Sequence, residues 1–233
     1  LLKQQISVKM LASVASVEEA LIALEAGVDM IDLKNPALGA LGALNHALVK
    51  EIVLTINQRS AVSATIGDLP MDPDIIFEAS SAMIATGVDI VKIGFFGRDH
   101  HTECLKALKP LSTHNKLIAV LFSDEQPKLN LMLDSLALFA NAGFYGVMLD
   151  TADKTNGHLL SYLDVDQLAE FVRQSKMLGL ITGLAGSIQA EHINQLLIAD
   201  PSYLGFRGAL CEQNQRVFGL DISKVKRIKN QLH

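Results

Sequence analysis

Ala26-Gly27-Val28-Asp29-Met30-Ile31-Asp32-Leu33-Lys34 changes from one periodicity to another within a single stretch. The segment before it, 17–25, puts Val17, Leu21 and Leu24 on one helical face, and Gly27 closes that helix. From Asp29 the pattern has period two, which predicts a strand over 29–34. Thr86-Gly87-Val88-Asp89, after a helical segment at 74–85, and Asn141-Ala142-Gly143-Phe144 repeat the turn as an internal echo. Short β-branched runs alternate with helical segments along the whole chain, and strands are expected near 9–14, 29–34, 61–66, 88–93, 116–122, 145–150, 179–184 and 203–207. Eight parallel strands with right-handed crossovers close most simply into a single (β/α)8 TIM barrel of the α/β class, one domain over residues 1–233. Residues 1–8 read as an extension ahead of it, and a doubly wound open sheet is the alternative.

The same period fixes which side chains face inward. In Met30-Ile31-Asp32-Leu33-Lys34, Ile31 and Leu33 suit the helix layer, so Asp32 and Lys34 face the barrel interior near the C-terminal end of the strand. Lys92 alternates with Val91 and Ile93, and Asp150 with Val147 and Leu149, so both face inward as well. Strands two, four and six alternate round a barrel, which lets Lys34, Lys92 and Asp150 share a layer. Burial and a neighbouring cation both lower a lysine's pKa, and a neutral amine there suits Schiff-base chemistry on a carbonyl. Lys154, four residues after Asp150, is placed to bind an anion or shuttle a proton. The plain alternative is that these lysines are solvated at strand ends with aspartates as surface partners; an apolar strand that hides several charges argues against it.

A second constellation suits phosphate. Gly183-Leu184-Ala185-Gly186-Ser187-Ile188 runs from strand seven toward a helical segment, and Gly205-Phe206-Arg207-Gly208-Ala209 ends strand eight. Loops at these two places commonly hold phosphate in barrels, with backbone N–H groups at Gly186, Ser187 and Gly208 as donors. Arg207, alternating with Leu204 and Phe206, is expected to point inward and grip the anion bidentately. Ser63 and Thr65 face inward from strand three and are candidates to hydrogen-bond a substrate.

Composition narrows the partners. The chain has 233 residues, 49% of them apolar, and a formal charge of -5 with its basic residues scattered, so nucleic acid is not an expected partner. Mean hydropathy is +0.29, yet charges, prolines or glycines break every apolar run short of the roughly 18 residues of a spanning helix, so no membrane is expected. Cys104 and Cys211 read as free thiols of a reducing compartment, which makes the cytoplasm the expected location. Residues 1–9 lack the charged head, apolar stretch and cleavage site of a signal peptide. His100 and His101 sit side by side rather than at ligand spacing, and His46, His114, His158 and His192 show no such spacing either, so no metal is expected.

Several blocks in order resemble the (5-formylfuran-3-yl)methyl phosphate synthases of methanofuran biosynthesis. They are Ile31-Asp32-Leu33-Lys34-Asn35-Pro36, the glycines of 39–42, Val62-Ser63-Ala64-Thr65-Ile66-Gly67-Asp68, Val91-Lys92-Ile93-Gly94, Met148-Leu149-Asp150-Thr151-Ala152 with Lys154, Leu184-Ala185-Gly186-Ser187-Ile188, and Arg207-Gly208-Ala209 with Cys211. The resemblance implies a lyase, linked to C1 metabolism, that joins two molecules of glyceraldehyde 3-phosphate with loss of one phosphate and of water. It implies no metal or organic cofactor. By similarity Lys34 forms the Schiff base, Asp32 supports it, and Lys92, Asp150 and Lys154 assist proton transfer, aldol joining and phosphate elimination. The sequence departs from the family at Leu121-Phe122-Ser123-Asp124-Glu125-Gln126 and in the glycine-poor stretch 212–218, which bears on substrate positioning. Two readings compete: a Schiff-base aldolase of other phosphorylated sugars, separated by phosphate release, and a non-catalytic barrel that binds a phosphometabolite. Helix surfaces leave room for a homo-oligomer.

Overall fold

The computed structural model describes residues 8–97, 99–125 and 129–232. Residues 1–7 of the expected N-terminal extension, and Gln126 of the divergent stretch after strand five, lie outside the described residues. Eight parallel strands form a closed barrel in the order β1 to β8. They are β1 (Lys9–Val14), β2 (Met30–Leu33), β3 (Ala61–Thr65), β4 (Ile90–Gly94), β5 (Lys116–Phe122), β6 (Gly146–Asp150), β7 (Ile181–Leu184) and β8 (Tyr203–Phe206). The open-sheet alternative fails because β1 pairs with β8, Leu11 opposite Gly205.

The strand ends differ from the expected ones by up to two residues, with one useful consequence. Lys34 lies just beyond β2, on the first residue of the loop, where its side chain reaches over the barrel mouth. Helices follow each strand: α1 (Val17–Glu25), α2 (His46–Ile56), α3 (Pro73–Ile84), α4 (His101–Ser112) and α5 (Leu129–Asn141). After β6 a one-turn helix, α6 (Leu159–Tyr162), precedes α7 (Val165–Met177), and α8 (Ile193–Ile198) and α9 (Ile222–Gln231) complete the ring. No helix among the described residues is long and apolar enough to cross a membrane.

The Gly-Val-Asp echo has a mechanical explanation. Gly27 and Gly87 take φ of 73° and 92°, which ends α1 and α3. Val28 and Val88 then pack into the core between barrel and helices. Asp29 accepts the N–H of Met10 at 2.7 Å and Asp89 that of Val62 at 2.8 Å, so each carboxylate caps a backbone donor at the foot of a neighbouring strand. Two of the three turns thus close the barrel floor as well as reversing the chain.

Two cores follow from the period of two. Ile31, Leu33, Val91, Ile93, Val147 and Leu149 pack outward against the helices. Leu11, Met30, Ile90, Ile118 and Tyr203 pack inside the lower barrel. Tyr203 is 1% exposed, and its ring occupies the space left by the missing side chain of Gly183. A Cβ at Gly183 would stand 2.5 Å from the Tyr203 Oη and closer still to the ring. Gly183→Ala therefore forces the ring or the strand to move, with an expected loss of about 1–3 kcal/mol. A thermal melt checks it, since each kcal/mol shifts Tm by roughly 2–4 °C in a domain of this size; an unchanged Tm would show that the floor is loosely packed.

Candidate active site

Above the apolar floor the inward residues become polar. The register aligns Ser13 of β1, Asp32 of β2 and Ser63 of β3 at one level. Asp32 is 0% exposed and accepts from the Ser13 hydroxyl at 3.0 Å, the Ser63 hydroxyl at 2.6 Å and Lys92 Nζ at 2.9 Å. A buried carboxylate is tolerated only when paired and hydrogen-bonded, and here three side chains from three strands meet that demand.

The next level up holds Lys34, Asp150 and Lys154. Asp150 Oδ1 accepts from Lys154 Nζ and from the Thr151 N–H at 2.8 Å, while Oδ2 lies 4.0 Å from Lys34 Nζ. Burial alone would raise the Asp150 carboxyl, but Lys154, Lys34 and these hydrogen bonds hold it below its ordinary value. Three lysines thus share two carboxylates. Lys92 is bonded to Asp32 and Lys154 to Asp150, which leaves Lys34 with its nearest carboxylate oxygen 4.0 Å away. Burial, only partly offset by Asp150 and reinforced by Lys154 and Lys92, lowers the Lys34 ammonium to about 7. The site therefore contains one amine that is substantially neutral, and nucleophilic, near neutral pH.

A cavity of about 160 Å³ opens over these groups, lined by Lys34, Lys92, Asp150 and Lys154 and by Gly186, Ser187, Gly208 and Arg216. Gly186 and Ser187 take φ of 112° and 50°, and a Cβ on Gly186 would stand 2.9 Å from Thr151 Cγ2. Among the described residues, the N–H groups of Gly186, Ser187 and Ile188 have no protein acceptor, which leaves them free to donate to an anion. The Gly186 carbonyl accepts from the Leu159 N–H at 2.9 Å, and His158 stacks on His192 with ring centroids 4.1 Å apart, so the short helix α6 supports this loop from behind. Gly208 opens a 3-10 turn, Gly208–Leu210, after the adjacent strand β8, and a Cβ on it would lie 4.0 Å from the Gln189 side-chain amide nitrogen of the neighbouring loop.

Three sequence expectations change in detail. Arg207 borders the cavity, but all five of its N–H groups are engaged: Glu19 takes two of them at 2.5 and 3.2 Å, and the carbonyls of Ser13, Arg216 and Phe218 take one each at 3.1, 2.7 and 3.0 Å. No donor remains for a bidentate phosphate. The Ser63 hydroxyl is directed to Asp32, and the Thr65 hydroxyl donates to the Gly42 carbonyl at 3.2 Å. Neither lines the cavity; both faced inward as read, and the surrounding protein uses their hydrogen bonds.

Sequence reading missed Ser13 and Arg216. Ser13 had a signal, since Leu11 and Ser13 share a face of β1 as Asp32 and Lys34 do in the next strand. Arg216 had none, because it sits in an irregular loop. Cys104 and Cys211 are free, as expected, and both are buried, which pushes the Cys211 thiol up to about 11. His101 donates from Nε2 to the Phe96 carbonyl, 3.0 Å away, and packs edge-on against Phe95.

With this geometry in place, the chain can be set beside known proteins. A family model described as 4-HFC-P synthase matches residues 10–229. A Methylorubrum extorquens protein, provisionally named (5-formylfuran-3-yl)methyl phosphate synthase, is 40% identical over 217 residues, which cover 93% of this chain and 88% of that protein. The (5-formylfuran-3-yl)methyl phosphate synthase of Archaeoglobus fulgidus is 33% identical over 213 residues, covering 88% of this chain and 91% of its own. Solved structures of similar shape include phosphoribosyl anthranilate isomerase from Thermus thermophilus, with a TM-score of 0.67 at 14% identity over 97% of this chain and 98% of that one. Deoxyribose phosphate aldolase from Aeropyrum pernix scores 0.64 at 11% identity over 97% and 92%. Identities this low speak for the barrel alone.

Proposed function

From the premise that this chain belongs to the 4-HFC-P synthase family, we propose that it is a (5-formylfuran-3-yl)methyl phosphate synthase of methanofuran biosynthesis that works through an imine on Lys34. The substrate under this reading is glyceraldehyde 3-phosphate, two molecules of which combine with loss of one phosphate and of water. The observation that carries it is the unequal pairing of the buried lysines, which leaves Lys34 as the amine without a close carboxylate.

The chemistry follows from that arrangement. The Lys34 amine adds to the aldehyde of one triose, and loss of water gives an iminium that acidifies the neighbouring C–H. Asp150, kept ionised by its two lysine neighbours and 4.0 Å from Lys34 Nζ, is the base within reach of that proton. Lys154, bonded to Asp150, can pass a proton to a departing oxygen. The Asp32–Lys92 pair below supplies fixed charge and keeps the Lys34 amine short of protons through Lys92. Gly186, Ser187 and Gly208, which line the same cavity, offer backbone to a phosphate.

Incubation with glyceraldehyde 3-phosphate and borohydride, followed by peptide mapping, tests the reading when phosphate release is measured in parallel without reductant. A triose adduct on Lys34 together with phosphate release supports the synthase. An adduct without release points to an aldolase, and no adduct removes the lysine mechanism. The pH dependence is a further expected result. Because burial puts Lys34 at about 7, the rate of trapping should rise as pH increases through 7 and level off above it. An inflection near the value of a free lysine, about 10.4, would contradict this.

A further inference from the structure

The Arg207 donors are spent on protein acceptors, and its contacts have a direction. Besides Glu19 of α1 and the Ser13 carbonyl, it grips the carbonyls of Arg216 and Phe218, at 2.7 and 3.0 Å. The bridge to Glu19 is well buried, with side chains 8% and 11% exposed, and Glu19 is itself held by the Ala15 N–H at 2.7 Å. The barrel thus fixes the backbone of the glycine-poor loop after β8 at the position of Arg216.

Arg216 faces the same cavity as Lys34. Its backbone nitrogen would lie 4.0 Å from a Cβ on Gly208, as would the Gln189 side-chain amide nitrogen, so it sits beside Gly208 and next to the Gly186 loop. Its side chain makes one hydrogen bond, from Nη2 to the Gly39 carbonyl at 3.0 Å. That carbonyl belongs to a rigid turn, since Asp68 accepts the N–H groups of Ala40 and Leu41 at 2.8 and 2.7 Å. Four of the five guanidinium N–H groups remain, enough for a bidentate grip. Among the described residues lining the cavity, Lys92, Lys154 and Arg207 each have a carboxylate in contact, and Lys34 is needed as the neutral nucleophile; Arg216 is the cation left over.

We propose that Arg216 binds the phosphate of the triose that condenses on Lys34, and that Arg207 is the positioning residue that holds Arg216 at the cradle of Gly186, Ser187 and Gly208. This rests on the Lys34 imine reading. Loops at this place in barrels commonly offer backbone N–H groups; here the loop after β8 adds a guanidinium.

The test compares borohydride trapping of Lys34 by glyceraldehyde 3-phosphate and by unphosphorylated glyceraldehyde, in the parent, Arg216→Ala, Arg216→Lys and Arg207→Gln proteins. Arg216→Ala should raise the half-saturating concentration of the phosphorylated triose by on the order of 10- to 100-fold, the scale of a lost charge-assisted contact. Trapping by glyceraldehyde should be unchanged, and Arg216→Lys should recover part of the loss. Arg207→Gln should weaken use of the phosphorylated triose in the parent but add nothing in the Arg216→Ala background. Equal losses with both aldehydes, or none with the phosphorylated one, would overturn the role of Arg216. Additive losses in the double variant would overturn the positioning role of Arg207. If the parent forms no adduct with either aldehyde, the lysine reading fails instead, and calorimetric binding of inorganic phosphate then decides Arg216 alone: the alanine variant should bind at least about 10-fold more weakly.

Discussion

Lys34→Met is expected to lower kcat/KM for triose phosphate by on the order of 10⁴-fold or more, because a nucleophile that forms the covalent intermediate has no substitute in the remaining site. Lys92 and Lys154 cannot stand in for it, since each is bonded to a carboxylate. The same substitution is expected to raise stability at acid and neutral pH. The folded pKa of Lys34, about 7, lies below that of an unfolded lysine, near 10.4, so between these values the unfolded chain binds more protons than the folded one. Stability therefore rises with pH across that window, and below pH 7 the folded protein bears the whole cost of a buried ammonium. Methionine removes the charge while keeping much of the volume, so Tm should rise at pH 6 and the gain should fade toward pH 10. Asp150 keeps Lys154 as its partner and is not left bare. A variant that melts below the parent at pH 6, or that retains a tenth of its activity, would refute this account of the site.

Asp32→Asn should act in the opposite sense on stability. It leaves the Lys92 ammonium, 1% exposed, facing an amide in the middle of the barrel, along with two serine hydroxyls that had donated to a carboxylate. Removing one member of a buried pair costs about 3–5 kcal/mol, or roughly 6–20 °C in Tm for a domain of this size. Because most of that cost is the stranded ammonium, the double variant Asp32→Asn with Lys92→Met should melt well above the single one. If the two losses simply add, Lys92 and Asp32 are not coupled as their 2.9 Å contact requires.

The barrel and its charged interior could be read from the chain because they depend on period alone. A strand whose outer face must be Ile31 and Leu33 has no choice but to turn Asp32 inward, and the argument holds again for Lys92 and Asp150. Period fixes the side from which a residue starts, not where a long side chain ends. Arg207 starts at the mouth as read, and its guanidinium is claimed by Glu19, 188 residues earlier in the chain. Ser63 and Thr65 show the same limit at shorter reach, their hydroxyls settled by Asp32 and the Gly42 carbonyl across the neighbouring loop. Arg216 belongs to a loop without regular spacing, where only the closed fold brings it beside Gly208. The extra turn α6 escaped notice because four residues show too little of a helical pattern to stand out.

Tyr203, wedged against Gly183, makes the barrel a cul-de-sac. In the proposed reaction two trioses, a released phosphate and a finished aldehyde must all pass through one doorway. Both trioses end in one product, so the second must reach the first from above, and the product and the phosphate must leave the same way. A single entrance is thus kept by a tyrosine that lines no part of the cavity.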